Sequence, residues 1–178
     1  MVDLIKVNYM EKIMQINKIE LKNISYYKQG SEETPCYNAV VYVNGKKAMH
    51  VDNDGRGGCD RQTVEYPTFD HSLIKELDEY CVKTFGVRKY DWGQIDIDLE
   101  HWCHDRLYEH LDQKKLKRDM TRLFVCVDKA KKEVYAYAKK GNTDIQFKAH
   151  MVKNHPQDTC LNFLSFNDAW KLFDEVTS

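Results

Sequence analysis

Residues 36–51, CYNAVVYVNGKKAMHV, decide the fold class. Tyr37, Val40, Val41, Tyr42 and Val43 are aromatic or β-branched, the residue types that pack best on a pleated surface. Asn44-Gly45 follows at once. A two-residue hairpin turn needs φ > 0 at both central positions, and asparagine and glycine accept that conformation most readily. KKAMHV then runs back. The segment reads as a β-hairpin turning at Asn44-Gly45, which makes antiparallel sheet the organising element.

Working outward, IELKNISYYK (19–28) alternates well enough for a preceding strand, and RQTVEY (61–66) returns as a later one ending at Pro67. Between them, VDNDGRGGCD (51–60) reads as a wide loop. Phe69, Leu73, Ile74, Leu77, Cys81 and Phe85 then share one helical face, and Gly86 supplies the stop. A second helix is expected from about Asp96 to Arg118. TRLFVCVDKAKKEVYAYAKK (121–140) reads as strand, polar turn, strand. DIQFKAHMVKN reads as a short helix broken by Pro156, LNFLSF (161–166) as a strand, and Asn167 onward as a final helix. The expected class is α+β, with antiparallel β-hairpins packed against two or more helices. Residues 1–18 are expected to form a loosely attached N-terminal extension, in which Met1, Met10 and Met14 compete as the first residue, and residues 19–178 a single domain.

Composition narrows the function classes. The 178 residues are 42% hydrophobic and 31% charged, which suits a folded domain and excludes wholesale disorder. No apolar run approaches the roughly 18 residues of a membrane span. The N-terminus has neither an uninterrupted apolar core nor a small-residue cleavage site, so it does not read as a secretory signal. Cys36, Cys59, Cys81, Cys103, Cys126 and Cys160 include no C-x-x-C pair and read as small hydrophobes, which places the chain in the cytoplasm. The net charge of −1 hides a polarity: residues 68–112 carry −6 and residues 113–153 carry +8.

SEETPCYNAVVYVNGKKAMHVDNDGRGGCD (31–60), together with LKRDMTRLFVCVD (116–128), resembles a class of small bacteriophage and mobile-element accessory proteins. The resemblance covers about a third of the chain and brings no catalytic residues with it. It implies a phage accessory protein, many of which block a host defence or regulatory system.

Three stretches are candidates for chemistry. The glycine loop lacks the G-x-x-x-x-G-K-[ST] of a phosphate loop, the G-x-G-x-x-G of a dinucleotide site and the ligand spacing of a calcium loop. What remains is a nest of backbone N–H groups for an anion, at Arg56, Gly57, Gly58 and Arg61, against a plain turn in which the glycines meet φ > 0. EHWCHDRLYEH (100–110) is the second. At 100° per residue, Leu99, Trp102, Cys103, Leu107 and Leu111 form an apolar face, and His101 and His104 lie on the far side. Those two histidines are an i, i+3 pair without further visible ligands, so no metal is expected. His110 falls inside the apolar face and reads as a buried, hydrogen-bonded histidine. His150 and His155 show no partner pattern, and Asp96 and Asp98 read as charges at a helix N-terminus.

The third stretch is basic. Lys114, Lys115, Lys117, Arg118 and Arg122 close the second helix, and Lys129, Lys131, Lys132, Lys139 and Lys140 lie at the turn and ends of the following hairpin. Such a region suits phosphate backbone or an acidic protein surface, against the alternative of a solvated face. The expected function is therefore binding rather than catalysis, by protein–protein contact with a host factor and without cofactor. The alternatives are a nucleic-acid or nucleotide binder using the basic hairpin and the glycine loop, and a hydrolase built around His101, His104 and acidic neighbours.

Overall fold

The computed structural model describes residues 15–177; Met1, Met10, Met14 and most of the expected extension lie outside the described residues. The fold is α+β, and the chain divides into two compact units, 1–107 and 108–178. None of the described helices is long and apolar enough to cross a membrane.

The first unit is built on the expected hairpin. Strands β1 (Ile19–Tyr26), β2 (Tyr37–Val43), β3 (Lys46–Asn53) and β4 (Arg61–Val64) form an antiparallel sheet in that order. Asn44 (φ 50°) and Gly45 (φ 82°) make the turn between β2 and β3. Asn44 also ties down the incoming chain, because its Oδ1 accepts the N–H groups of Asn17 (2.9 Å) and Lys18 (3.1 Å). The register pairs Tyr37 with Asn53, Ala39 with Val51 and Val41 with Met49, so these six side chains share one buried face of β2 and β3. Helix α1 (Ser72–Phe85) adds Leu73, Leu77 and Cys81 to this core, at the i, i+4, i+8 spacing of one helical face. Asn38, His50 and Arg61 lie exposed on the other sheet face.

Gly86 (φ 74°) ends α1, as expected. A second hairpin then follows that the sequence pattern does not announce: β5 (Val87–Tyr90) and β6 (Gly93–Asp96). Helix α2 (Leu99–Arg122) begins beyond it. Asp98 caps α2 by accepting the His101 N–H at 2.9 Å, and Asp78 of α1 accepts the Leu99 N–H at 3.1 Å, so the helix start is anchored from two sides. Leu99, Trp102, Cys103 and Leu107 are buried, as their shared face requires.

In the second unit, β7 (Leu123–Asp128) is the middle strand of a three-stranded antiparallel sheet, between β8 (Glu133–Ala138) and β9 (Thr159–Cys160). Side chains alternate across a strand, and both faces of β7 are covered. Val125 and Val127 join Leu116, Leu161 and the face Ala169, Leu172, Val176 of α4 (Phe166–Thr177). Phe124 and Cys126 join Phe147 and Met151 of α3 (Asp144–Asn154). Thr143 and Gln146 start α3 as a reciprocal capping box.

LNFLSF (161–166) is not the strand its composition suggests: Thr159–Cys160 pairs with β7, and Leu161–Phe163 is a 3-10 turn. The reason is Asn162, whose side chain accepts the Val125 N–H (2.8 Å) and donates to the carbonyls of Met120 (2.7 Å) and Leu123 (3.0 Å). Those bonds take over from the backbone ladder. Ser165 then caps α4 by accepting the Asp168 N–H at 3.2 Å.

Candidate functional site

The glycine loop is organised from its first residue. Asn53, 4% exposed at the end of β3, accepts the Gly55 N–H at 2.9 Å and the Thr34 hydroxyl at 2.7 Å. Its Nδ2 donates to the Gly58 carbonyl and to Asp60 Oδ1, each at 3.2 Å. The Gly55 carbonyl accepts three N–H groups, from Glu32 (2.9 Å), Glu33 (2.9 Å) and Thr34 (3.3 Å). Gly55, Gly57 and Gly58 all have positive φ, which is the conformational reason for glycine here. The Arg56 N–H is spent on Asp54 Oδ1 and that of Gly57 on Thr34 Oγ1, each at 3.2 Å. Arg61 is ion-paired with Asp52, and the Arg56 side chain is exposed. Two backbone N–H groups of the expected nest, those of Arg56 and Gly57, therefore face internal acceptors.

The loop delivers Asp60 into a polar cluster. Its side chain is 0% exposed. Oδ2 accepts a short hydrogen bond from the Tyr37 hydroxyl, and Oδ1 lies 3.3 Å from His104 Nε2. The Asp60 N–H donates to Glu100 Oε1 at 3.2 Å. Glu100 and His104 stand one turn apart on α2, and one ligand atom from each of Asp60, Glu100 and His104 lies within 4.8 Å of the others. Burial pushes the Asp60 carboxyl up, but hydrogen bonds from His104, Tyr37 and Asn53 outweigh it and hold the group below its ordinary value. The bond to Asp60 raises the His104 imidazole against the opposing effect of burial. Each of the two thus favours the charged form of the other. Burial pushes up the Tyr37 phenol and the Cys103 thiol beside them, and the Asp60 charge adds to both shifts. The cluster can hold a cation or a proton.

The other histidines are placed differently. His101 turns back to the helix start, with Nδ1 2.7 Å from Asp98 Oδ1, so it does not join His104 in a ligand set. His110 departs from the expectation of a hydrogen-bonded core residue. Its Nε2 is buried with no hydrogen-bond partner among the described residues. Burial, then Lys114 and Lys117, lower its pKa, which leaves the ring neutral. His155, without a partner pattern in the sequence, lies between Asp158 (Nδ1 to Oδ2, 3.3 Å) and the Tyr137 hydroxyl (Nε2, 3.1 Å).

The basic residues fall into two groups within the second unit. Lys139 donates to the Met120 carbonyl at 2.8 Å and its backbone N–H to that of Arg122 at 3.2 Å, which brings Arg122, Lys139 and Lys140 together at the end of α2. Lys114, Lys115, Lys117 and Arg118 are exposed on the preceding turns, with Lys117 4.3 Å above the Phe166 ring and Arg118 3.6 Å from Asp119. Lys129, Lys131 and Lys132 sit at the opposite end of the β7–β8 hairpin, about 20 Å away at the rise of a six-residue strand. There Lys129 pairs with Glu175 (3.1 Å) and Lys131 with Asp128 (2.8 Å).

A further surface feature belongs to the unannounced β5–β6 hairpin of the first unit. Tyr90 and Trp92 stack at its tip with centroids 5.0 Å apart and planes 9° from parallel, and they are 40% and 73% exposed. Arg88, on the same strand face as Tyr90, is held by Asp105 at 2.5 Å. The available sign was D-W-G between two short polar strands, too little alternation to separate a hairpin from a loop. Comparison with protein families, with curated proteins and with solved structures finds no match to this chain.

Proposed function

We propose that this chain acts by binding, and that it contacts a protein partner through the tip of the β5–β6 hairpin. The observation that carries this reading is the stacked, exposed Tyr90–Trp92 pair. A tryptophan left three-quarters in water loses the burial that large aromatics normally contribute, and tryptophan, tyrosine and arginine dominate the centres of protein interfaces. Here all three stand on one two-stranded element, and Arg88 is already oriented by its carboxylate. The resemblance of residues 31–60 to phage accessory proteins supplies the context: a phage-encoded modulator of a host factor, working in the host cytoplasm. The cations of the second unit suit a partner with an acidic face and would speed encounter.

The test is capture from a bacterial host lysate, with and without nuclease, using the wild-type chain, a Tyr90→Ala/Trp92→Ala variant, and a Lys114→Glu/Lys117→Glu/Lys132→Glu variant. A nuclease-resistant protein is expected with the wild type. It is lost with the aromatic variant, whose truncated hot-spot residues are each expected to cost about 2 kcal/mol of binding. The charge-reversed variant is expected to bind more weakly mainly at low salt. Recovered nucleic acid that depends on the three lysines and not on Trp92 would replace this reading with the nucleic-acid one.

A further inference from the structure

We propose that Asp60, Glu100 and His104 form a site for one divalent first-row transition ion, with zinc and manganese the ions best suited to it. Three observations converge. The first is geometric. Ligand atoms from the glycine loop and from two successive turns of α2 already lie within 4.8 Å of one another. Asp60 Oδ1 and His104 Nε2 are 3.3 Å apart, and two ligands about 2.1 Å from a tetrahedral ion stand about 3.4 Å apart.

The second is charge. Two carboxylates converge with one imidazole where the Asp60 side chain is fully buried. A buried carboxylate beside a second one is costly to hold charged unless a cation stands with them. A divalent ion would balance both negative charges and take the His104 imidazole as a neutral ligand.

The third is the support around the ligands. The Tyr37 hydroxyl holds Oδ2 of the Asp60 carboxylate and Asn53 Nδ2 holds Oδ1, and Asn53 is itself fixed by Thr34 and Gly55. Metal-ligating carboxylates are held by outer hydrogen bonds of this kind, which set their orientation. Glu100 and His104 are half-buried rather than sealed, so an ion has a route in and can keep water in its remaining positions. One nitrogen and two carboxylate donors suit zinc or manganese; calcium takes six to eight oxygens, and a soft copper(I) ion prefers sulfur.

The test starts from untagged protein stripped with a chelator and reloaded with zinc or manganese. After gel filtration, the wild type is expected to retain about one equivalent and to melt at a higher temperature than the stripped form. Glu100→Gln and His104→Gln are expected to lose at least about 100-fold in affinity, since removing outer groups alone costs 10–100-fold. Cys59→Ser and His101→Gln, neighbours outside the ligand set, are expected to bind as the wild type does. Melts in chelator verify that each variant folds, and they add a crossing. Without metal, Glu100→Gln is expected to melt at or above the wild type, because it removes one of two adjacent like charges. With metal the order reverses. An ion that is not retained by the wild type and does not raise its melting temperature overturns the proposal. So does binding that survives Glu100→Gln/His104→Gln or disappears with Cys59→Ser.

Discussion

At Gly55 the glycine loop has no space for a side chain. A Cβ there would lie 1.9 Å from the Gly30 carbonyl oxygen, whereas one on Gly58 would meet nothing within 4 Å, although both residues have positive φ. Gly58→Ala should therefore lose only the cost of the left-handed backbone, about 1–2 kcal/mol. Gly55→Ala adds a backbone collision and should lose about 2–5 kcal/mol. Urea denaturation of the two variants measures the difference, and equal losses would remove the close approach from the account. The positive φ of these glycines was legible in the sequence, because few other residues tolerate it. The cluster that the loop supports was not. Asp60 meets Glu100 and His104 across 40 and 44 residues, and a separation of that size leaves no local pattern. One trace was present: on the helical wheel Glu100 falls between Leu107 and Leu111, where a charged residue needs a partner.

Among the elements, α2 shows how a helix start can be set by a distant residue. Asp78 of α1 accepts the Leu99 N–H, and burial raises its carboxyl above the ordinary value, with Asp98 adding to the shift and the hydrogen bond opposing it. The folded state thus binds the Asp78 proton more tightly than the unfolded chain does. This group favours folding most at pH values below its unfolded pKa, about 3.9, and loses that contribution as pH rises through the folded value. Asp78→Asn keeps the acceptor and removes the charge. The melting temperature of the wild type minus that of Asp78→Asn should therefore be more negative at pH 7 than at pH 4, and a difference that does not change with pH would refute burial as the cause. Elements were legible where hydrophobic period and turn chemistry agreed, as in β2–β3, α1 and β7–β8. They were hidden where a side chain replaced the backbone ladder, as Asn162 does after β9, or where strands were short and polar, as in β5–β6.

On the scale of the whole molecule, charge and architecture divide together. Residues 1–107 carry a net −4 and residues 108–178 a net +3. The polarity was visible in the order of charges, but the border between the units was not, because it falls inside α2, where no proline-, glycine- or serine-rich linker marks it. Each unit has its own way of covering a sheet: the first buries one face, and the second wraps its middle strand on both. In the second unit, β7 has strands on either edge and side chains packed above and below, so its amide protons are released to solvent only when that core opens as a whole. In deuterium uptake followed over hours, Phe124 to Val127 are expected to be the last amides of residues 108–177 to exchange. Their rates would then report the free energy of opening this unit, a clock built into one strand.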